Sequence, residues 1–185
     1  KAKKYLKYFK KNGTYIGSIN NEYPVYRKES GPSGDSYYYV VDPNAPIQSC
    51  ILGYIGAYTA PFKGAYSPKN TFELQGAVRQ VHISRLANEY RGKGIGSQLY
   101  DLVWKDSDVF TSDSVLYEGS YNMWVKHIFR NTAFFGVVLG SELGGSETRV
   151  IIPLQEKDAL NKELLGSEGS EGFVAIKDAA NVPAA

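Results

Sequence analysis

The chain has 185 residues, a formal net charge of +2 and 43% hydrophobic residues, which fit one soluble domain with a substantial core. This charge gives no strong case for a nucleic-acid partner, and a single cysteine, Cys50, excludes an internal disulfide and a Cys-rich metal site. No apolar run approaches the roughly 18 residues of a membrane span and no secretory signal opens the chain, so we expect a cytoplasmic protein without a metal or a membrane partner.

The first third of the chain predicts a basic helix followed by antiparallel strands. Residues 1–11 carry apolar side chains at helical spacing among six lysines, which indicates a short amphipathic helix that is either a solvated terminus or an arm for acidic partners. Residues 13–28 read as two strands joined by a turn at Asn20. Strands follow at 35–42 and 49–59. Tyrosine is concentrated in this part of the chain, which favours sheet packing over an aromatic binding surface.

The middle of the chain predicts a loop, a long strand and a helix. Residues 61–70 contain two prolines and a glycine and read as a long loop near one end of the sheet. Residues 72–87 read as one strand with an interruption at Gly76. A glycine-rich turn follows, and apolar residues from Ile95 onward repeat at helical spacing.

The last third of the chain completes a mixed sheet. Its predicted elements are a strand at 114–117, a helix from Asn122, strands at 134–140 and 147–154, and a short helix at 156–165. The tail at 173–185 has no predicted place. The order predicts an α/β (α+β) fold with a mixed, mostly antiparallel sheet flanked by helices and a strand-rich N-terminal part.

The glycine-rich turn predicts an anion site at a helix start. Gly92, Gly94 and Gly96 allow close approach of the backbone to a ligand, and the first helical N–H groups have no partners within the helix. The helix dipole adds positive potential at the same place, so phosphate or pyrophosphate is the natural ligand. Arg91 and Lys93 add charge, and Arg has the better geometry for a forked contact.

Two common phosphate motifs are excluded by spacing. The P-loop requires Gly-Lys followed by Ser or Thr, which is missing here. The dinucleotide fingerprint Gly-x-Gly-x-x-Gly also fails, because the glycines here are each two residues apart. The turn alone therefore does not identify its ligand.

The residues around the turn carry a family resemblance. Residues 91–96, Arg-Gly-Lys-Gly-Ile-Gly, resemble motif A of the GNAT (Gcn5-related N-acetyltransferase) superfamily, Gln/Arg-x-x-Gly-x-Gly/Ala. Residues 122–136 resemble motif B of the same family. The aligned positions of that second motif are Asn122, Val125, Ile128 and Phe134. The resemblance covers roughly residues 36–154.

The resemblance implies acetyl-CoA, or another acyl-CoA, as co-substrate. The implied contact residues are Ser84, Leu86, Arg91, Gly92, Lys93, Gly94, Ile95, Gly96, Ser97, Asn122 and Phe129. By analogy the amides of residues 92–97 cradle the pyrophosphate, the backbone of Ser84 and Leu86 runs beside the pantetheine, and Asn122 meets the far end of that arm. The implied reaction is direct attack of an amine on the thioester in a ternary complex.

His82 is the first candidate for the general base. A strand alternates its faces, so His82 shares one side with Ser84 and Leu86, and an imidazole suits amine deprotonation near neutral pH. Some family members that acetylate arylalkylamines have a His at this offset before motif A. The alternative is a partly buried strand His that a neighbour satisfies. Glu73 is the second candidate base, and Ser84 and Tyr121 complete the candidate catalytic set.

Phe129 departs from the family pattern. Many family members have Tyr there as the acid for the leaving thiolate, and Phe cannot donate a proton. Either Tyr117, Tyr121 or water donates instead, or the thiolate leaves unassisted, or catalysis has been lost. The sequence therefore predicts an N-acyltransferase, with a GNAT-fold CoA-binding or structural protein of weak or no catalysis as the alternative.

The predicted domain organisation has three parts. Residues 1–35 form a basic arm and hairpin extension, residues 36–154 the GNAT-like domain, and residues 155–185 a helix, a Gly/Ser/Glu linker and a tail. The expected partners are acyl-CoA and an amine acceptor, either a small molecule or a protein. A homodimer or a partner chain is left open.

Overall fold

The computed structural model describes residues 3–30, 34–67, 69–113, 118–130, 134–139, 148–153, 171–178, 180 and 182–183. The helices of this described part are α1 (Lys3–Asn12), α2 (Ile95–Lys105) and α3 (Glu118–Lys126). The strands are β1 (Thr14–Ile19), β2 (Tyr23–Ser30), β3 (Asp35–Val41), β4 (Ile51–Tyr58), β5 (Lys63–Ser67), β6 (Asn70–Glu73), β7 (Val78–Leu86), β8 (Val109–Thr111), β9 (Phe134–Leu139), β10 (Thr148–Pro153) and β11 (Glu171–Ile176). Short 3₁₀ turns lie at Ile47–Ser49, Asn88–Tyr90 and Ile128–Arg130.

The chain divides into two compact units. The first comprises Lys1–Ala57 and Ile83–Asp106, and the second comprises Tyr58–His82 and Ser107–Ala185. Strand β7 contributes residues to both units. The predicted boundaries after residues 35 and 154 stay a prediction.

The first unit is an antiparallel sheet with helices packed on it. Its strand order is β1-β2-β3-β4, followed by the C-terminal half of β7, and the pairs β1–β2, β2–β3 and β3–β4 are antiparallel. Phe9 of α1 is buried against Tyr26 and Val41, which explains why the apolar spacing of residues 1–11 forms a helix on this sheet. The predicted basic helix and the four N-terminal strands are confirmed.

The turn between β1 and β2 has left-handed backbone. Asn20 and Asn21 have φ values of 54° and 53°, and Ile19 pairs with Tyr23 across the hairpin. Asparagine tolerates this conformation better than most residues, which is why a pair of asparagines marks a tight hairpin. The predicted turn is confirmed.

Helix α2 packs closely against the N-terminal hairpin. Its buried face consists of Ile95, Leu99, Tyr100, Val103 and Trp104. A Cβ on Gly17 of β1 would lie 2.7 Å from Leu102 Cδ2, so glycine allows the helix and β1 to approach this closely. The predicted helix after the glycine-rich turn is confirmed.

The second unit is a mixed sheet. Its strand order is β7-β8-β11-β9-β10-β5-β6. The pairs β7–β8 and β10–β5 are parallel, and the pairs β8–β11, β11–β9, β9–β10 and β5–β6 are antiparallel. The buried cluster of this unit consists of Phe62, Leu74, Val78, Val109, Ile151, Val174 and Ile176. The predicted mixed, mostly antiparallel sheet flanked by helices is confirmed.

The predicted interruption at Gly76 is confirmed. Gly76 has φ of +88° and lies between β6 and β7. The Asp108 carboxylate accepts a hydrogen bond from the Ala77 N–H at 2.7 Å and occupies the space that a Cβ on Gly76 would need. Glycine therefore allows both the left-handed backbone and this contact.

Several predicted elements need correction. The predicted loop at 61–70 contains β5 and the start of β6, because its two prolines lie outside β5 and leave an alternating segment between them free to pair. Helix α3 begins at Glu118, four residues before Asn122. The predicted strand at 114–117 and helix at 156–165 lie outside the described residues. Most of β11 lies in the unassigned tail, its first two residues lie in the predicted Gly/Ser/Glu linker, and the strand pairs between β8 and β9.

None of the helices in the described ranges is both long enough and apolar enough to cross a membrane.

Candidate functional site

The glycine-rich turn has the backbone geometry that an anion cradle needs. The 3₁₀ turn Asn88–Tyr90 leads to Arg91 in extended conformation, and Gly92 then has φ of 77°. Gly94 is the N-cap residue of α2, with φ of 75° and ψ of 6°. Both glycines occupy the left-handed region, which costs other L-residues free energy. Gly96 lies within the first turn of α2, where glycine has no side chain to cover the helix backbone.

The N-terminus of α2 is open to a ligand. Gly94 has no side chain to cap the helix, and the first backbone hydrogen bond of the helix runs from Gln98 N–H to Gly94 O at 3.2 Å. The N–H groups of Ile95, Gly96 and Ser97 therefore have no acceptor among the residues that the structure describes. These donors and the helix dipole favour a negatively charged group.

The outer side of the turn is exposed. Among the residues that the structure describes, a Cβ on Gly92 would meet nothing within 4 Å, and one on Gly94 would meet only Gln98 Nε2 at 3.6 Å. Arg91 and Lys93 are both exposed. A bound anion therefore has access to the backbone amides and to both cations.

Acidic groups lie on the Tyr90 side of the turn. Lys93 Nζ lies 5.6 Å from the centre of the Tyr90 ring, and Tyr90 meets the edge of Tyr23 at 6.3 Å between centres. Burial raises the pKa of the Tyr90 hydroxyl, and the nearby carboxylates of Asp42, Glu89 and Glu22 raise it further. The Lys93 ammonium therefore lies on the Tyr90 side of the turn, near these carboxylates, and the N–H groups of residues 95–97 lie at the start of α2.

The β1–β2 hairpin braces the turn. Gln98 Oε1 accepts a hydrogen bond from the Asn20 N–H at 3.1 Å, and Gln98 Nε2 donates to Asn20 Oδ1 at 2.8 Å. The same Nε2 donates to Gly94 O at 3.1 Å, and Ser97 Oγ also donates to this oxygen at 3.1 Å. Gln98 thus links the left-handed hairpin turn to the left-handed N-cap, a role that the sequence pattern did not reveal.

Strand β7 leads into the turn and continues past its pairing with β8. Among the residues that the structure describes, β7 pairs with β8 at Val78–Gln80, and β7 continues to Leu86. Ser84 is exposed and Leu86 is half-buried. On the β4 side, a Cβ on Gly53 would lie 2.7 Å from the Arg85 carbonyl oxygen, so glycine allows close packing there.

His82 lies in the second unit with one face covered. Its ring stacks on Tyr58, with centres 4.2 Å apart and planes at 24°. The imidazole is half-buried and Tyr58 remains 36% exposed. The stacking holds the ring orientation and gives His82 the packing neighbour that a purely structural role would require.

The other catalytic candidates also belong to the second unit. Glu73 ends β6 with its side chain exposed and pairs with Lys63 at 3.6 Å. Tyr121 is buried, its ring centre lies 5.8 Å from that of Phe173, and burial raises the pKa of its hydroxyl, which keeps the proton on at neutral pH. Tyr117 lies outside the described residues.

The remaining predicted contact residues lie in α3 and in the 3₁₀ turn that follows it. Asn122 is half-buried in α3, and Phe129 belongs to the 3₁₀ turn Ile128–Arg130. The first unit thus holds Ser84, Leu86 and residues 91–97, and the second holds the others. Across the described ranges, no three His, Cys, Asp or Glu side chains are grouped in a way that could hold a metal ion.

Comparison with known proteins gives weak similarities. No protein-family model matches the sequence, and no curated protein matches it either. Among solved structures, Arabidopsis thaliana NAA60 in complex with a bisubstrate analogue is 12% identical, with 77% of this chain and 74% of that chain covered and a TM-score of 0.42.

Two further solved structures are similar at the same level. An acetyltransferase of the GNAT family from Staphylococcus aureus Mu50 is 11% identical, covers 78% of this chain and 70% of its own, and has a TM-score of 0.35. The NatC complex bound to Gag peptide and CoA is 12% identical, with coverage of 76% and 70% and a TM-score of 0.40. Scores this low establish neither a shared fold nor a function.

Proposed function

We propose that this protein is an acyl-CoA-dependent N-acyltransferase of the GNAT type. The observation that carries the proposal is the turn before α2. Gly92 and Gly94 are both left-handed there, and the N–H groups of residues 95–97 are open, in the stretch that matches motif A. This arrangement suits the pyrophosphate of a CoA ester, because anions bind at helix N-termini where the backbone can approach closely.

The donor is held mainly by backbone groups. The N–H groups of Ile95, Gly96 and Ser97 bind the pyrophosphate, and Arg91 and Lys93 add charge from the exposed side of the turn. The β7 backbone at Ser84 and Leu86 hydrogen-bonds the pantetheine amides as a further strand would. The roles of Asn122 and Phe129 rest on the family resemblance alone.

The reaction is a direct acyl transfer. His82 accepts a proton from the acceptor ammonium, and the free amine attacks the thioester carbonyl. The C–N bond forms, the C–S bond breaks, and the CoA thiolate takes a proton as it leaves. The attacking nitrogen loses its second proton on becoming the amide, and this proton restores the donor. Tyr121 is the proposed donor because Phe129 cannot supply a proton, although burial raises the pKa of the Tyr121 hydroxyl and makes it a weaker acid. Ser84 and Glu73 are weaker candidates, since Ser84 is exposed and the Glu73 carboxylate already pairs with Lys63.

Replacing His82 with alanine tests the proposed base. We expect kcat for free-thiol release to fall by about 100-fold or more, because a positioned base contributes on this scale. The Kd for acetyl-CoA should change little, because the turn is untouched. The measurement is thiol release from acetyl-CoA with a panel of small amines and N-terminal peptides, with Glu73→Gln as the matched control. Unchanged turnover in His82→Ala would show that the base is another group.

A CoA-binding protein without catalysis is the second candidate function. Phe129, in place of the family tyrosine, favours it, since a phenyl ring cannot protonate a thiolate. Binding of acetyl-CoA with no thiol release for any acceptor in the panel would establish this second function.

Replacing Gln98 with alanine tests the brace on the turn. The variant loses the two bonds to Asn20 and one of the bonds to Gly94 O, so we expect the Kd for acetyl-CoA to rise by about three- to tenfold through a looser turn. Calorimetric titration measures the change. Gln98→Met serves as control, because it keeps the length and the neutral charge of the side chain without these hydrogen bonds, and its Kd should rise about as much as that of Gln98→Ala. An unchanged Kd in Gln98→Ala would contradict a positioning role.

A further inference from the structure

A concave pocket lies beside α1 in the first unit. Its lining residues are Lys4, Tyr5, Tyr8 and Ile47, and its volume is about 310 Å³. We call it the basic pocket. Its walls are aromatic and aliphatic side chains, and Lys4 supplies a positive charge to the lining. The volume suits one inserted apolar side chain with its neighbouring backbone.

The helix that forms this pocket is firmly anchored. Phe9 is 4% exposed and packs against Tyr26 and Val41, and Leu6 packs against the same cluster. On the other side, Tyr5 and Tyr8 remain 42% and 41% exposed. The apolar face of α1 is thus already buried against the sheet, and the exposed tyrosines form a separate surface.

One wall of the pocket is held in place by Lys28. Its ammonium group hydrogen-bonds the Tyr8 hydroxyl and lies 4.9 Å from the ring centre. Tyr8 also meets the edge of Phe9, with ring centres 5.6 Å apart. The pocket wall is therefore preorganised, which lowers the entropic cost of binding.

The helix beside the pocket is rich in lysine. Helix α1 has five lysines and no acidic residue. Across the ranges that the structure describes, the ion pairs use Arg27 and Lys63, and none uses a lysine of α1. At i, i+4 and i+7, Lys4, Tyr8 and Lys11 share one side of the helix.

We propose that the basic pocket binds an acidic peptide segment. One apolar side chain of the peptide inserts between Tyr5, Tyr8 and Ile47, and carboxylates on either side of it pair with Lys4 and Lys11. The concave shape favours a peptide over a lipid surface, because an interfacial helix inserts its apolar face, and that face of α1 is buried. The proposal does not depend on acyl transfer, since it uses no residue of the glycine-rich turn.

The test uses fluorescence anisotropy with a labelled twelve-residue probe, in which glutamates alternate with glycines around one central leucine. We expect micromolar binding that weakens as salt is raised. Replacing the central leucine with serine, or all glutamates with glutamine, should each raise the Kd by about tenfold. The protein variant Tyr5→Ala should weaken binding of the leucine probe but not of the serine probe.

A matched pair of charge reversals tests the position of the peptide. Lys4→Glu/Lys11→Glu and Lys3→Glu/Lys10→Glu change the net charge equally at the same spacing, about 100° apart around α1. The first should raise the Kd for the leucine probe by about tenfold or more, and the second by about threefold or less. Circular dichroism and thermal melting confirm that both variants fold.

Three outcomes would overturn the proposal. The first is no binding of the leucine probe by the wild-type protein. The second is an equal loss of affinity in the two charge-reversal variants, which would mean a response to net charge alone. The third is binding to phosphatidylserine vesicles but not to the probe, which would assign this surface to an anionic membrane.

Discussion

Replacing Gly94 with valine is expected to abolish measurable acetyl-CoA binding while the protein stays folded. Gly94 has φ of 75°, which a β-branched residue adopts only with strain. A valine would rotate this residue out of the left-handed region and turn the N–H groups of Ile95 and Gly96 away from the ligand. We expect the Kd to rise by about 100-fold or more, because several charge-assisted hydrogen bonds are lost together.

The control for this experiment is Gly94→Asn. Asparagine tolerates the left-handed conformation, and a Cβ at this position meets Gln98 Nε2 only at ordinary contact distance. This variant should bind more weakly than the wild type but much better than Gly94→Val. Calorimetric titration gives the Kd, and circular dichroism checks folding. If Gly94→Val and the wild type bind acetyl-CoA with equal affinity, the turn does not contact the ligand.

Replacing Asp106 with alanine is expected to lower the free energy of unfolding by about 1.5–3 kcal/mol, because Arg27 loses the shorter of its two ion pairs and keeps the one with the more exposed Glu29. Arg27 Nη1 lies 2.5 Å from Asp106 Oδ2, and the Tyr38 hydroxyl donates to the same oxygen at 2.7 Å. Burial works against the charged guanidinium, but the hydrogen bond and charge of Asp106 outweigh it and raise the pKa of Arg27. The pair ties β2 and β3 to the end of α2.

Urea denaturation of single and double variants measures this contribution. Arg27→Met/Asp106→Ala should lose less stability than the sum of the two single variants, because the Arg27–Asp106 pair can be lost only once. Glu29, which loses Arg27 in the double variant, is 53% exposed and still accepts a hydrogen bond from Ser36 Oγ. Glu73→Ala is the matched control. Its pair with Lys63 is 3.6 Å long and more than half exposed, so its loss should cost less than about 1 kcal/mol. Equal losses of stability in Asp106→Ala and Glu73→Ala would show that the partly buried pair contributes no more than an exposed one.

The sequence predicted the first unit well because its signals are local. The paired asparagines at 20–21 occupy left-handed backbone, and the apolar repeat after Ile95 forms the buried face of α2. Gly76 interrupts the strand where predicted, although the contact with Asp108, which is 32 residues away in sequence, was not visible in the pattern. Local backbone preferences are readable from one sequence, and their tertiary partners are not.

The second unit was harder to predict because its order depends on long-range pairing. Strand β11 is a short apolar run after a Gly/Ser/Glu segment, yet it pairs with both β8 and β9. Strand β5 pairs with β10, whose partner residues are more than 80 positions away. A short alternating run can be a loop or a strand, and only the edge of another strand decides between them.

The backbone conformation of the candidate site was predictable from the sequence, but the side-chain contacts that hold it in place were not. The glycine spacing identified the turn, and the structure gives Gly92 and Gly94 the left-handed conformation that such a turn requires. The Gln98 brace and the Tyr58 ring on His82 were not predicted, because each joins residues distant in sequence. The catalytic roles of His82 and Tyr121 stay predictions.

The central claim is that the turn before α2 binds the pyrophosphate of a CoA ester. Calorimetric titration of the wild-type protein with acetyl-CoA tests it most directly, with 3′-phospho-ADP and acetylpantetheine titrated separately. We expect micromolar binding of acetyl-CoA, weaker binding of 3′-phospho-ADP that Gly94→Val abolishes, and little binding of acetylpantetheine. No heat of binding for acetyl-CoA at millimolar concentration, or binding that Gly94→Val leaves unchanged, would contradict the claim.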